Sequence, residues 1–154
     1  MIIFLLIGLL SPVYGFVNKD ILGHWKFSEM IYRGEKVPLP NPDLNLNWTF
    51  FKNGTERLYW DRGDTSGFCE RFSYFNVETN VLSVETLFLN PRNASDCSKD
   101  PDMQVGKNAK IKIDVLKDEL HFYFQLGEEE LIYVLRPVGF QGMTFIPLIK
   151  ENAK

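Results

Sequence analysis

The chain has 154 residues, of which 45% are hydrophobic, 24% charged and 14% aromatic, and its net charge is −3. That length makes one domain able to bury a core without a metal or a partner, and ordinary apolar and charged fractions exclude disorder, collagen and coiled coil. Lys plus Arg number 17 against 20 for Asp plus Glu, so the surface does not attract phosphate backbones or anionic lipid and no nucleic-acid partner is expected. The 13 phenylalanines favour strands over helices.

Residues 1–15 read MIIFLLIGLLSPVYG, an apolar run shorter than the roughly 20 residues a membrane span needs. It fits the apolar core of a signal peptide. Pro12 breaks the helix, and Val13 and Gly15 take the small-residue positions before a cut ahead of Phe16. The positive charge that usually opens such peptides is absent. The expected organisation is a signal peptide over 1–15 and one β domain over 16–154, secreted or periplasmic, with no membrane span. Cysteine use agrees. Cys69 and Cys97 are the only two, and an even count in an exported chain reads as a disulfide. No C-x-x-C and no nearby histidine suggests a metal or catalytic role for either.

Beyond residue 16 the recurring pattern is short alternation punctuated by turn dipeptides. The first run, 24–32, sets Trp25, Phe27 and Ile31 on one face. VPLPNPDLN over 37–45 has prolines at alternate positions, cannot join a ladder and is a loop. Leu44, Leu46, Trp48 and Phe50 alternate in the second strand. Asn53-Gly54 is a strong hairpin signal leading into a third strand, 55–61, which Arg62-Gly63-Asp64 ends. The fourth run, 68–77, carries Phe68, Phe72, Tyr74 and Phe75, and Thr79-Asn80 turns it into the fifth, 81–89. A polar loop spans 90–108. Ile111, Ile113 and Val115 mark the sixth strand, Lys117-Asp118 the next turn, and Leu120, Phe122, Phe124 and Leu126 the seventh. The eighth covers 131–135 and stops at Pro137, after which the tail is either an extended arm or a short helix. Eight strands joined mostly by hairpins leave a sandwich or a barrel, and the short connections favour an all-β, eight-stranded antiparallel up-and-down barrel that leaves no open edge.

With Gly23-His24-Trp25 opening the first strand and Arg136 just after the last, the chain resembles the lipocalin-like members of the calycin group. The resemblance implies that Gly23, Trp25 and Arg136 close the barrel floor, the guanidinium stacked over the indole. It also implies that the proline-rich stretch folds over the open mouth. The family's second motif, T-D-x-x-Y before the seventh strand, is missing; Leu116-Lys117-Asp118-Glu119 stands there instead.

No catalytic set, metal site or cofactor motif is expected. His24 and His121 are far apart and each is placed on the outer surface. Glu70 lies between Cys69 and Arg71, and a carboxylate among inward aromatics would pair with Arg57 and orient a polar ligand group, although an outward ion pair is the simpler alternative. Asp96, Asp100 and Asp102 lack calcium-loop spacing and read as a solvated loop. Glu128 to Glu130 read as a solvated hairpin tip. Of three N-x-S/T triplets, at Asn47, Asn53 and Asn93, the last is the best glycan acceptor. The leading functional reading is a non-enzymatic exported barrel binding a small apolar or amphipathic molecule. Its cavity wall is drawn from Trp48, Phe50, Phe72, Tyr74, Phe122 and Phe124, with Glu70 and Arg57 as polar members. The competing reading is a solidly filled barrel that contacts a protein partner, as an inhibitor would, through its loops or a patch such as Tyr59 and Trp60. Several hundred Å3 of open apolar space separates the first from the second.

Overall fold

The computed structural model describes residues 19–64 and 66–139; the expected signal peptide and the tail from 140 onward lie outside the described residues. Nine strands follow in chain order: β1 (Gly23–Tyr32), β2 (Glu35–Val37), β3 (Asn45–Phe50), β4 (Thr55–Asp61), β5 (Phe68–Glu78), β6 (Val81–Leu89), β7 (Asn108–Leu116), β8 (Glu119–Leu126) and β9 (Glu129–Pro137). Neighbours pair antiparallel in the order β2-β1-β3-β4-β5-β6-β7-β8-β9, and β1 also pairs with β9. The circuit from β1 through β3 to β9 is therefore the closed eight-stranded up-and-down barrel. The strand the pattern did not reveal is β2, three residues too short to show alternation. It continues the ladder on the upper part of β1, where Met30 faces Val37, beyond the stretch that β1 shares with β3.

Turn chemistry sets the hairpins. Thr79 and Asn80 both take positive φ, 46° and 62°, the two-residue geometry whose twist matches the strands it joins. At the β3–β4 turn, the Asn53 Oδ1 accepts from the Thr55 backbone N–H at 3.1 Å and from its hydroxyl at 2.7 Å.

The core forms where alternation turns apolar side chains inward: Leu46, Trp48 and Phe50 from β3, Phe75 and Val77 from β5, Leu82 and Val84 from β6, Phe122 from β8. One expected face is corrected. A bulge between Phe27 and Glu29 adds a residue to β1, so Met30, not Ile31, continues the inward row of Trp25 and Phe27. Met30 is buried beside Tyr133 in the ladder, while Ile31 pairs with Ile132 on the outer face.

The floor is also corrected. Trp25 is inward and buried, and its Nε1 donates to the Ile21 carbonyl at 2.7 Å. Arg136 does not stack over it. Trp25 stands opposite Pro137, so the preceding residue, Arg136, points to the other side of the sheet. There its Nη2 reaches Glu29 at 2.8 Å and Glu119 at 3.1 Å, while Lys36 joins Glu29 and His121 joins Glu119. This outer-face network, exposed at Arg136 and Lys36 and buried at His121, crosses the β1–β9 seam that closes the barrel. Hydrogen bonds from His121 and then Arg136 hold the Glu119 carboxyl below its ordinary range.

The segment between β6 and β7 is more ordered than a solvated loop. It contains two 3-10 turns, Ser95–Lys99 and Pro101–Met103, with Cys97 and Met103 buried. Strand β6 pairs with β7 only over Val81 to Glu85. Above that the returning segment takes over, with Gly106 N–H donating to Thr86 at 2.8 Å and Thr86 N–H to Lys107 at 3.0 Å. The Cys69–Cys97 disulfide, 5.6 Å between Cα atoms, ties this cap to the start of β5. A bridge closing that loop stabilises by about 3.5 kcal/mol in the chain-entropy model. Urea unfolding with and without reductant should differ by about that much; an unchanged midpoint would mean that the bridge does not constrain the unfolded chain.

Candidate functional site

A cavity of about 630 Å3 opens at the end of the barrel where the proline-rich segment and the cap meet. Its wall is apolar and aromatic. Phe27 and Met30 come from β1, Leu46 and Trp48 from β3, Leu58 and Trp60 from β4, Phe124 from β8, and Leu131 and Tyr133 from β9. Phe27 and Phe124 each pack on Tyr133, with ring centroids 4.7 Å and 4.8 Å apart. Burial, and then the charge of Asp102, push the Tyr133 hydroxyl above its ordinary range. Below the cavity the barrel is filled. Trp48 meets the fully buried Phe122 edge to face at 5.1 Å, and Phe50 meets Phe75 likewise at 5.0 Å.

The rim is built from loops. Pro40, Asn41 and Leu44 line it, as the proline-rich stretch was expected to do. That segment is braced from within by the Asn41 side chain, which accepts from the Asp43 N–H at 2.9 Å. It also packs on the β4–β5 turn so closely that a Cβ at Gly63 would lie 2.8 Å from that of Asp43. Arg62 lies over the Trp60 ring at 5.1 Å and pairs with Asp96 at 3.4 Å. Asp100 and Asp102 reach the rim from the cap, where the Asp100 carboxylate accepts the Asp102 N–H at 2.8 Å.

Of the residues expected in the wall, Trp48 and Phe124 line the cavity, while Phe50 and Phe122 point inward but belong to the packed part beneath it. Phe72 and Tyr74 are corrected: both face outward. Phe72 stacks on Phe88 at 4.7 Å, and Tyr74 is 56% exposed. Strand β5 has aromatics on both faces, and the register decides between them. Arg71 lies opposite Leu58, and Phe75 opposite Val84, which turns Arg71, Ser73, Phe75 and Val77 inward. Arg57 and Glu70 do form their ion pair, but on the outer face, where Asn90 also bonds the Glu70 carboxylate. Asn93 brackets the Glu70 backbone, accepting its N–H at 2.8 Å and donating to its carbonyl at 2.9 Å. Its amide is thus engaged in the fold rather than presented as a glycan acceptor. Asn47 is buried as well, which leaves Asn53 exposed at its hairpin. The Tyr59–Trp60 patch separates, since Trp60 lines the cavity and Tyr59 stacks outside on Phe68 at 5.6 Å.

The same register buries a charged pair that sequence reasoning missed. The Arg71 guanidinium bonds Glu56 and Ser73 inside the barrel, and Glu56 is fully buried. Burial pushes the Glu56 carboxyl up, against the opposing pull of Arg71 and of the Ser73 hydroxyl. The clue lay in the alternation of Phe75 and Val77, which carried back along the strand puts Arg71 inside. Of the histidines, His24 is on the outer face with Nδ1 2.8 Å from the Thr49 hydroxyl, and burial first, then Arg57 and Lys26, lower its pKa. No group of three or more metal-ligating side chains occurs among the described residues.

No family model and no curated protein sequence matches the chain. Among solved structures, a lipocalin-like protein from Bacteroides uniformis superposes with a TM-score of 0.51 at 16% identity, over 77% of this chain and 99% of that one. The fold is lipocalin-like. An uncharacterized protein from Bacteroides eggerthii aligns at a TM-score of 0.48 and 16% identity, over 76% of this chain and 98% of that one. Fatty-acid-binding protein 1 of Echinococcus granulosus aligns at 0.39 and 14%, over 79% and 99%. In this lipocalin-like barrel the lower half is filled, while the β2–β3 segment, the β4–β5 turn and the cap between β6 and β7 shape the entrance.

Proposed function

We propose that the protein is an exported, non-enzymatic barrel that binds a small apolar or amphipathic molecule in the cavity beneath the proline-rich segment. The observation that carries this reading is the open volume of about 630 Å3, within the range of small-molecule pockets and lined by aromatic and aliphatic side chains with a few polar groups confined to the rim. A filled interaction module would have no use for that volume. Export is supported by the apolar segment over 1–15 and by the Cys69–Cys97 disulfide, which persists in oxidising compartments.

An environment-sensitive apolar dye should therefore bind the folded protein saturably, near one equivalent. Trp48→Glu should abolish that uptake, because it sets an unpaired charge in the apolar wall. Circular dichroism must show that the variant keeps its sheet. Absence of saturable uptake by the folded wild-type protein would sink the cavity reading and leave the interaction module.

A further inference from the structure

Charge around the cavity distinguishes between head groups, and the inference drawn from it rests on the cavity-binding reading. Among the described residues one cation faces the barrel interior, Arg71, and Glu56 and Ser73 already hold its guanidinium. Arg71 does not line the cavity, Glu56 balances its charge, and its unbonded N–H, at Nε, is buried, so it offers no net positive charge to a ligand anion. The rim cation, Arg62, is likewise paired with Asp96 and laid over Trp60. Against these stand two rim carboxylates, Asp100 and Asp102; Lys107 approaches Asp102 only to 3.9 Å. Asp102 adds to burial in pushing up the Tyr133 hydroxyl of the cavity wall. Aromatic walls add to this, because ring faces are the negative side of the π quadrupole and attract cations. The placing of Arg62 over Trp60 shows that a ring at the mouth accepts a positive group.

A carboxylate brought to this mouth would shed water and meet two like charges across a partly apolar wall, where charges interact more strongly than in water. An ammonium in the same place would be attracted by both carboxylates and by the rings. The deeper wall, at Trp48, Leu46 and Leu58, carries no charged side chain. We propose that the cavity takes an amphipath with a cationic ammonium head, seated at the rim between Asp100, Asp102 and Trp60, with its apolar tail directed inward to Trp48.

The test uses three probes with one dodecyl chain and different heads: dodecyltrimethylammonium, dodecanol and dodecanoate. Each is titrated below its micelle concentration at low salt, against the protein with an apolar dye bound. The ammonium should bind about tenfold or more tighter than the carboxylate, an advantage that shrinks as salt is added. In the double variant D100N/D102N that ratio should collapse toward unity; asparagine at 100 can still accept the Asp102 N–H, so the cap is kept. Arg62→Gln should raise the ratio by removing a competing rim cation. Parity between the charged heads, a preference for dodecanoate, or a ratio that survives D100N/D102N would each overturn the proposal while leaving cavity binding intact. Failure of all three probes and of the dye would overturn the binding reading itself.

Discussion

Arg71→Met should lower the unfolding free energy by about 3–5 kcal/mol in urea denaturation near neutral pH, because it strands the Glu56 carboxylate inside the barrel. Glu56 is fully buried, Arg71 nearly so, and the guanidinium is its charge partner. The pair is not ideally satisfied. Glu56 Oε2 and Arg71 Nε are both buried without a hydrogen-bond partner, and each such atom costs about 1–3 kcal/mol. Replacing both partners, Glu56→Leu with Arg71→Met, should therefore restore most of the lost stability. The pH dependence gives a second check. Burial raises the Glu56 carboxyl above its ordinary value, so the folded state binds this proton more tightly than the unfolded chain does. Its contribution is then favourable below the unfolded pKa and fades as pH rises through the folded one. In Arg71→Met the opposing pull of the guanidinium is gone and the carboxyl rises further. The stability lost in this variant should be smaller in mildly acidic buffer than at neutrality, and equal losses at both would point to packing rather than stranded charge.

Trp25→Ala should cost about 3–5 kcal/mol through the cavity left in the floor, where the indole is buried and donates to Ile21. Arg136→Ala should cost far less, about 0.2–1 kcal/mol, since its ion pairs are exposed on the outer face and screened by solvent. The two residues stand on opposite sides of the sheet, so their effects should add to within about 0.5 kcal/mol in a double-mutant cycle. Arg136 with Glu29 should instead show coupling. A large interaction energy between Trp25 and Arg136 would bring back the stacked floor that the resemblance implies and that the register of β1 on β9 contradicts.

Much of the architecture was legible in the residues alone. Alternation and turn dipeptides delimit 55–61 and 81–89 as strands with the bounds β4 and β6 have, because a half-buried strand needs period two and Thr79-Asn80 can adopt positive φ. The cysteine count implied the bridge, and three prolines out of any ladder implied the loop that now lines the mouth. The members of the Arg57–Glu70 pair were named, and they meet on the outer face, as the simpler of the two readings had it, not in the cavity wall.

What the residues left open is the sign of each face. Period two says that Phe72 and Tyr74 share one side of β5, and Phe75 and Val77 the other, but both sides are apolar enough to be buried. One step of register exchanges them, and that step is decided by partners distant in sequence, Leu58 opposite Arg71 and Val84 opposite Phe75. A single bulged residue in β1 exchanges Met30 for Ile31 in the same way. Local sequence thus determines which residues form strands and which side chains travel together. Only closure of the sheet decides which set faces the cavity, because burial is a property of the completed barrel.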